Sequence, residues 1–253
     1  MQNGSEQDQG ALPAAHSPQW KDFSCVVESR RSIREFDGSP IPAAVVRDCL
    51  RLALLAPSSG NLQQCEIHWL RDPRKKREAV GLFVSQRAVT TCGELFVVFA
   101  RTATWERNRS LLLEELRRRF DRVPAQLIRY YQRVVPAAYR IGPLGLGGRI
   151  KRLIAWIAGL RGVFPTGATS RADLDVWAAK SAALACQNFM LALRAAGYDS
   201  CPMEGADWPK VRRFLGLPGD AVPVMGIAAG RASPDRPPLP RIRLDPSLFI
   251  KEV

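Results

Sequence analysis

The run from Asp173 to Ala196 constrains the fold of this chain more than any other feature. Trp177, Leu184, Phe189, Met190 and Leu193 recur at helical spacing yet spread almost all round the cylinder, and the run stops at Gly197. A helix that is apolar on most sides must be covered on most sides, as a central helix or as one at an interface between two copies. The remaining chain therefore has to supply layers on which it packs. With 46% hydrophobic residues over 253 positions, there is enough apolar material for such a core.

Candidates for those layers alternate along the chain. Ala43 to Ala56 carries Val45, Val46, Cys49, Leu50 and Ala53 at helical spacing and halts before Pro57. Glu66 to Leu70 and Leu95 to Ala100 read as short strands, the second apolar throughout and so central, and Val222 to Ala229 reads as a third. Helices alternating with short apolar strands predict an α+β sandwich, not a bundle or an all-β fold. Residues 1–18, rich in Gln, Ser, Ala and Pro, read as a disordered leader, and residues 19–253 as one domain.

Charge is the abnormal quantity. The 37 Lys and Arg outnumber 24 Asp and Glu, a formal +13, which calls for an anionic partner. Residues 105–165 alone hold thirteen basic and four acidic side chains, a net +9. Within this basic helical insertion, Arg107 to Val135 reads as one charged helix and Pro136 to Gly148 as a turn. Arg149 to Gly162 then sets Ile150, Leu153, Ile154, Ile157 and Leu160 on one face, with Arg149, Lys151, Arg152 and Arg161 around it. Two readings of that helix stand open: a cationic lid packed on protein, or a peripheral contact with an anionic membrane in which Trp156 and Phe164 take part. Nucleic acid is not expected, because the cations alternate with large aliphatics and no helix-turn-helix, zinc-finger or RNA-recognition signature is present.

The polar first ten residues give no export signal, and no run approaches the roughly 18 apolar residues of a spanning helix. Six scattered cysteines without a two-residue spacing point to reduced thiols and a cytoplasmic protein, with the membrane surface as the alternative location. His16 falls in the leader and His68 in an apolar strand, so neither a metal site nor a Ser-His-Asp triad is expected.

Four clusters carry chemistry. Arg30, Arg31, Ser32, Ile33 and Arg34 offer forked, charge-assisted donors to a phosphate or carbonyl, or form a solvated basic turn. Pro57, Ser58, Ser59, Gly60, Asn61, Leu62 and Gln63 permit close backbone approach to a planar polar ligand, or make a plain loop. Cys201, Pro202, Met203, Glu204 and Gly205 suggest a stiff loop presenting N–H groups, although Glu204 could instead cap a helix beginning near Asp207. In Pro240, Arg241, Ile242 and Arg243, alternation sends both arginines to one side of an extended segment, suited to gripping a single anion.

Taken in order, RRSIR, PSSGNLQ, the buried helix running into GYDSCPMEG, VPVMGIAAGR and the terminal PRIR resemble the FMN-dependent nitroreductase family. The resemblance implies a three-layer α-β-α sandwich with a mixed, mainly antiparallel sheet, and an intertwined homodimer with FMN at the subunit interface. It assigns Arg30, Arg31 and Ser32 to the FMN phosphate, with Arg241 and Arg243 closing on it, and Arg34 to the pyrimidine edge. Pro57, Ser58, Ser59, Asn61 and Gln63 would come from the second subunit. Pro202, Met203, Glu204 and Gly205 would lie over the ring, with a backbone N–H of Glu204 or Gly205 addressing N5. Where the family usually has an Asn, and often a Lys three residues later, this chain has Ser85, Gln86, Arg87 and Ala88, so Gln86 or Arg87 substitutes. The implied reaction is ping-pong hydride transfer from NAD(P)H through the flavin to a small aromatic acceptor, a nitroaromatic or quinone, with no catalytic side chain. Reductive dehalogenation, substrate oxidation and flavin fragmentation are the alternatives on the same fold.

Overall fold

The structure, a computed structural model, describes residues 17–142, 146–160, 162 and 167–253. Most of the predicted leader, with His16, lies outside the described residues, as do Arg161, Phe164 and Pro165 of the basic insertion. Helix α1 (Pro18–Ser29) starts inside the stretch read as leader. Ser17 caps it by accepting from the Trp20 N–H, and Pro18 stands in the first turn, where a missing N–H costs nothing.

Four strands form one antiparallel sheet in the order β1-β2-β4-β3, from β1 (Cys65–Trp69), β2 (Glu94–Arg101), β3 (Asp199–Met203) and β4 (Ala221–Gly230). Among the described residues the expected parallel component is a single bridge, Ser32 to Ser200, at the β3 edge. β2 is central and almost entirely buried, as its unbroken apolar run predicts. Its alternation divides the core. Leu95, Val97 and Phe99 face α3 (Pro73–Leu82), α4 (Arg87–Thr91) and α10 (Trp208–Phe214). Phe96 and Val98 face α2 (Ala43–Ala53) and α9 (Arg171–Ala195). These are the three layers of the expected sandwich.

β3 corrects a sequence expectation: the local pattern of Cys201, Pro202 and Met203 predicts a loop, and all three lie in the strand. Pro202 lacks an N–H for the ladder, and β3 lies at a sheet edge, where such a residue is tolerated. Asp207, not Glu204, caps α10, by accepting from the Lys210 N–H.

The basic segment is not the single helix expected for Arg107 to Val135. α5 (Trp105–Arg119) ends at Phe120, whose backbone is extended, and α6 (Ala125–Arg129) begins only after Pro124. Nor is Pro136 in a turn: it opens α7 (Val135–Tyr139). The preceding wide π turn over Tyr130–Val134, closed by the Val135 N–H on the Tyr130 carbonyl, absorbs the proline. α8 (Leu146–Gly159) follows the expected amphipathic pattern.

α9 starts in a complete capping box. Ser170 Oγ accepts from the Asp173 N–H, while Asp173 Oδ2 accepts from the Ser170 and Thr169 N–H groups. Those bonds hold the Asp173 carboxyl down to about 2. Its stabilising share is therefore present above the ordinary value of 3.8 and is lost as pH falls from there toward about 2. Ser170→Ala should lower the unfolding free energy by about 1 kcal/mol, read from denaturant midpoints near neutral pH.

Candidate functional site

The chain leaves α1 through Arg30, which sits at its C-terminus with extended backbone. The Ile33 N–H donates to the Ser200 carbonyl at 3.1 Å, and Ile33 turns into the core. Alternation then carries Ser32 and Arg34 to the opposite side, along the β3 edge. The C-terminal segment returns to the same place. Arg31 Nη2 donates to the Leu239 carbonyl, and Arg241 Nη2 donates to the carbonyls of Glu28, at 2.7 Å, and Arg30, at 2.5 Å.

Five guanidiniums gather as a result, and three of them act on Arg30. Arg30 is held below its ordinary value, first by burial and then by the like charges of Arg241, Arg243 and Arg31. Arg34 and Arg30 both stand near enough to oppose the upward push that burial gives the Cys201 thiol. Among the described residues none of the five is paired with a carboxylate, although eight other arginines are. Mutually repelling, unpaired cations brought together by two distant segments form a receptor for a multiply charged anion.

Beside this cluster lies the turn after β3. The Glu204 carbonyl accepts from Trp208 Nε1 at 2.8 Å, and the Gly205 carbonyl accepts from Gln86 Nε2 at 2.7 Å. With both carbonyls fixed, neither the Glu204 nor the Gly205 N–H has an acceptor among the described residues. Gln86 follows two residues in left-handed conformation, Val84 and Ser85, which aim its side chain at this turn. Arg87 instead pairs with Glu35. Of the two rivals for the missing Asn, Gln86 is the one that touches the predicted loop.

The Pro57 to Gln63 segment lies elsewhere. It folds as a 3-10 turn over Ser59–Asn61 with positive φ at Gly60, Asn61 and Gln63. Long-range contacts fix it, among them the Ser59 N–H to Ser181 Oγ, Asn108 Nδ2 to the Leu62 carbonyl at 2.7 Å, and Tyr131 Oη to the Gly60 carbonyl. Sequence reading missed Asn108, Tyr131 and Ser181, and nothing local marks them. The segment leads into β1, at the edge opposite β3, so three strand spacings of about 4.8 Å each, roughly 14 Å, separate the two edges. Within one chain, Ser58, Ser59, Asn61 and Gln63 do not meet the arginine cluster.

All six cysteines are free thiols, and burial pushes Cys65 and Cys186 up to about 12, which keeps them protonated and unreactive. His68 stands in β1 with its ring edge-on to Phe99.

Comparison with known proteins gives the arrangement a lineage. The family model for the nitroreductase family matches residues 27–231. Protein DrgA of Synechocystis is 29% identical over 212 residues, spanning 83% of this chain and 84% of that protein. An NADH dehydrogenase of Thermus thermophilus is 29% identical over 216 residues, spanning 85% and 89%. Among solved structures, a nitroreductase-like protein of Streptococcus mutans superposes with a TM-score of 0.70 at 19% identity, covering 92% of this chain and 99% of its own. A provisionally named nitroreductase of Exiguobacterium sibiricum, solved in complex with FMN, gives 0.66 at 24% identity, covering 96% and 100%. With the matched region running from the end of α1 to the end of β4, this chain belongs to the nitroreductase family.

Proposed function

We propose that the protein is an FMN-dependent NAD(P)H oxidoreductase that reduces small electron-poor aromatics, nitroaromatics or quinones. The observation that carries this reading is the set of unpaired arginines at 30, 31, 34, 241 and 243, whose chemistry suits a phosphate dianion and an electron-rich ring edge. Family membership, the NADH dehydrogenase among the relatives and the FMN complex among the fold neighbours support it.

Bound FMN would supply the two-electron chemistry, taking hydride from NAD(P)H and passing it to the acceptor. The protein's part is to hold and polarise. Arg30, Arg31, Arg241 and Arg243 would grip the phosphate with Ser32 beside them. Arg34 would stabilise negative charge at the pyrimidine edge. The free N–H groups of Glu204 and Gly205 would donate toward ring N5, kept in place by Gln86 and Trp208 on their carbonyls. Pro202 and Met203 carry that turn from the β3 edge. Pro57, Ser58, Ser59, Asn61 and Gln63, stranded at the β1 edge, would complete the site in a second copy, which makes a homodimer with shared sites the natural assembly.

The test is spectroscopic. Purified protein, as isolated or after incubation with FMN, should show flavin absorbance that bleaches with NADH or NADPH under anaerobic conditions and returns on adding a nitroaromatic. Protein that neither carries nor takes up FMN overturns the proposal, and so does a flavin that neither nucleotide reduces.

A further inference from the structure

α8 is mounted the wrong way round for a helix that belongs to a core. It meets the rest of the chain through small or anchored residues. Gly148 is buried, and a Cβ there would stand 1.7 Å from the Thr169 carbonyl oxygen. Lys151 Nζ donates to the carbonyls of Ala138 and Ala168. The large residues point away: Leu146, Ile150, Leu153, Ile154, Ile157 and, just beyond the helix, Leu160 are each between 47 and 70% exposed. A contiguous apolar stripe of this kind marks a binding surface, whereas scattered exposed aliphatics do not.

Cations line one flank of that stripe. At 100° per residue, Arg149, Arg152 and Trp156 follow each other along one side of it. Arg149 and Arg152 also border a cavity of about 700 Å³ that contains Arg140 and Arg171 and is walled by Trp105, stacked on Tyr139. Among the described residues, Arg140 is ion-paired with Glu106 at 3.5 Å, and Arg171 stands near enough to Asp175 to oppose the upward push that burial gives its carboxyl. Arg152 donates to the Thr169 hydroxyl and Arg171 to the Gly219 carbonyl. An apolar face bordered by a pocket of forked cations matches an anionic amphiphile, with acyl chains against the stripe and phosphate at the arginines.

We propose that α8 lies on an anionic phospholipid bilayer, with its apolar face among the acyl chains and a lipid phosphate at Arg149 and Arg152. A bilayer suits the surface better than a second copy of the chain. Two α8 faces brought together would set like cations against each other, and a chain of net +13 offers no compensating acidic face on average. No helix among the described residues is long and apolar enough to cross a membrane, so the contact is one of attachment. Trp156, 65% exposed on the flank, has the position that tryptophan favours at a membrane interface. The inference goes beyond the oxidoreductase reading and does not depend on it.

Co-sedimentation of the full-length protein, carrying whatever flavin it retains, tests this with vesicles of phosphatidylcholine alone or mixed with phosphatidylglycerol. Binding should require phosphatidylglycerol and weaken as salt rises. Arg149→Ala/Arg152→Ala should weaken it roughly thirtyfold, because each cation near an anionic surface is worth about fivefold. Ile150→Glu/Ile157→Glu should abolish it with the circular dichroism spectrum unchanged. No binding to mixed vesicles, equal binding to both kinds, or binding unaffected in both double variants would overturn the proposal. So would an Ile150→Glu/Ile157→Glu protein that elutes as a smaller oligomer while the wild type ignores vesicles, which would assign the face to a second copy.

Discussion

Phe189→Ala should lower the unfolding free energy by about 3–5 kcal/mol, measured by denaturant titration. That is a large part of the roughly 5–15 kcal/mol by which a protein of this kind is stable. Phe189 comes from the inner face of α9 and is fully buried, with its ring 4.7 Å from Phe96 at 76°. Phe96 in turn stacks on Trp69 across the β1–β2 pair. Truncation would open a cavity where helix, central strand and edge strand meet, and close packing leaves nothing nearby to fill it. Leu184 gives the contrast on the same helix. It is 47% exposed, and Leu184→Ala should cost within about 0.5 kcal/mol in the isolated chain. Where two copies associate through the outer side of α9, the Leu184→Ala cost should grow with protein concentration and the Phe189→Ala cost should not. A Phe189→Ala protein as stable as wild type would contradict the layer assignment.

Those two positions show what the sequence conveyed about α9 and what it did not. Its length, its stop at Gly197 and its place against a central strand follow from periodicity and one left-handed glycine. Its all-round apolarity predicts cover on most sides, and within one chain that cover is present except along one stripe, where Val176 and Leu184 lie open. One-dimensional patterning reports that a residue wants burial, not which molecule provides it. β3 escaped for a different reason. Pro202 argues against a strand in any local reading, and only the edge position, a property of the whole sheet, makes it acceptable. The same holds for the site. The arginines and the Pro57 to Gln63 segment are visible as local clusters, but Asn108, Tyr131 and Ser181 are not, because their role exists only after residues 46, 71 and 122 positions apart meet. Pro124, by contrast, was a legible break that the charged periodicity on both sides outweighed.

Arg30→Ala and Arg241→Ala should each raise the dissociation constant for FMN by roughly tenfold to a hundredfold, since a charge-assisted hydrogen bond is worth about 1.5–3 kcal/mol. Fluorescence titration of deflavinated protein reads this directly. Arg241→Lys should recover only part of the loss, because an ammonium keeps the charge and loses the fork. Arg87→Ala should leave the constant near wild type, because Arg87 is engaged by Glu35. The discriminating quantity is the stability of the flavin-free protein. A structural arginine contributes through partners inside the chain, so its removal destabilises the empty protein. Arg30 sits among Arg241, Arg243 and Arg31 with no carboxylate paired to it among the described residues, and burial first and their like charges second press it below its ordinary value. Removing it relieves repulsion in the empty protein while weakening the hold on a phosphate. Arg30→Ala should therefore leave the thermal midpoint of the flavin-free protein unchanged or raise it, while the midpoint gained on adding saturating FMN shrinks. Opposite signs in those two measurements fit only a cluster built to receive an anion. A fall in both would make Arg30 a structural residue, and unchanged FMN affinity in both alanine variants would remove the phosphate from this corner of the fold.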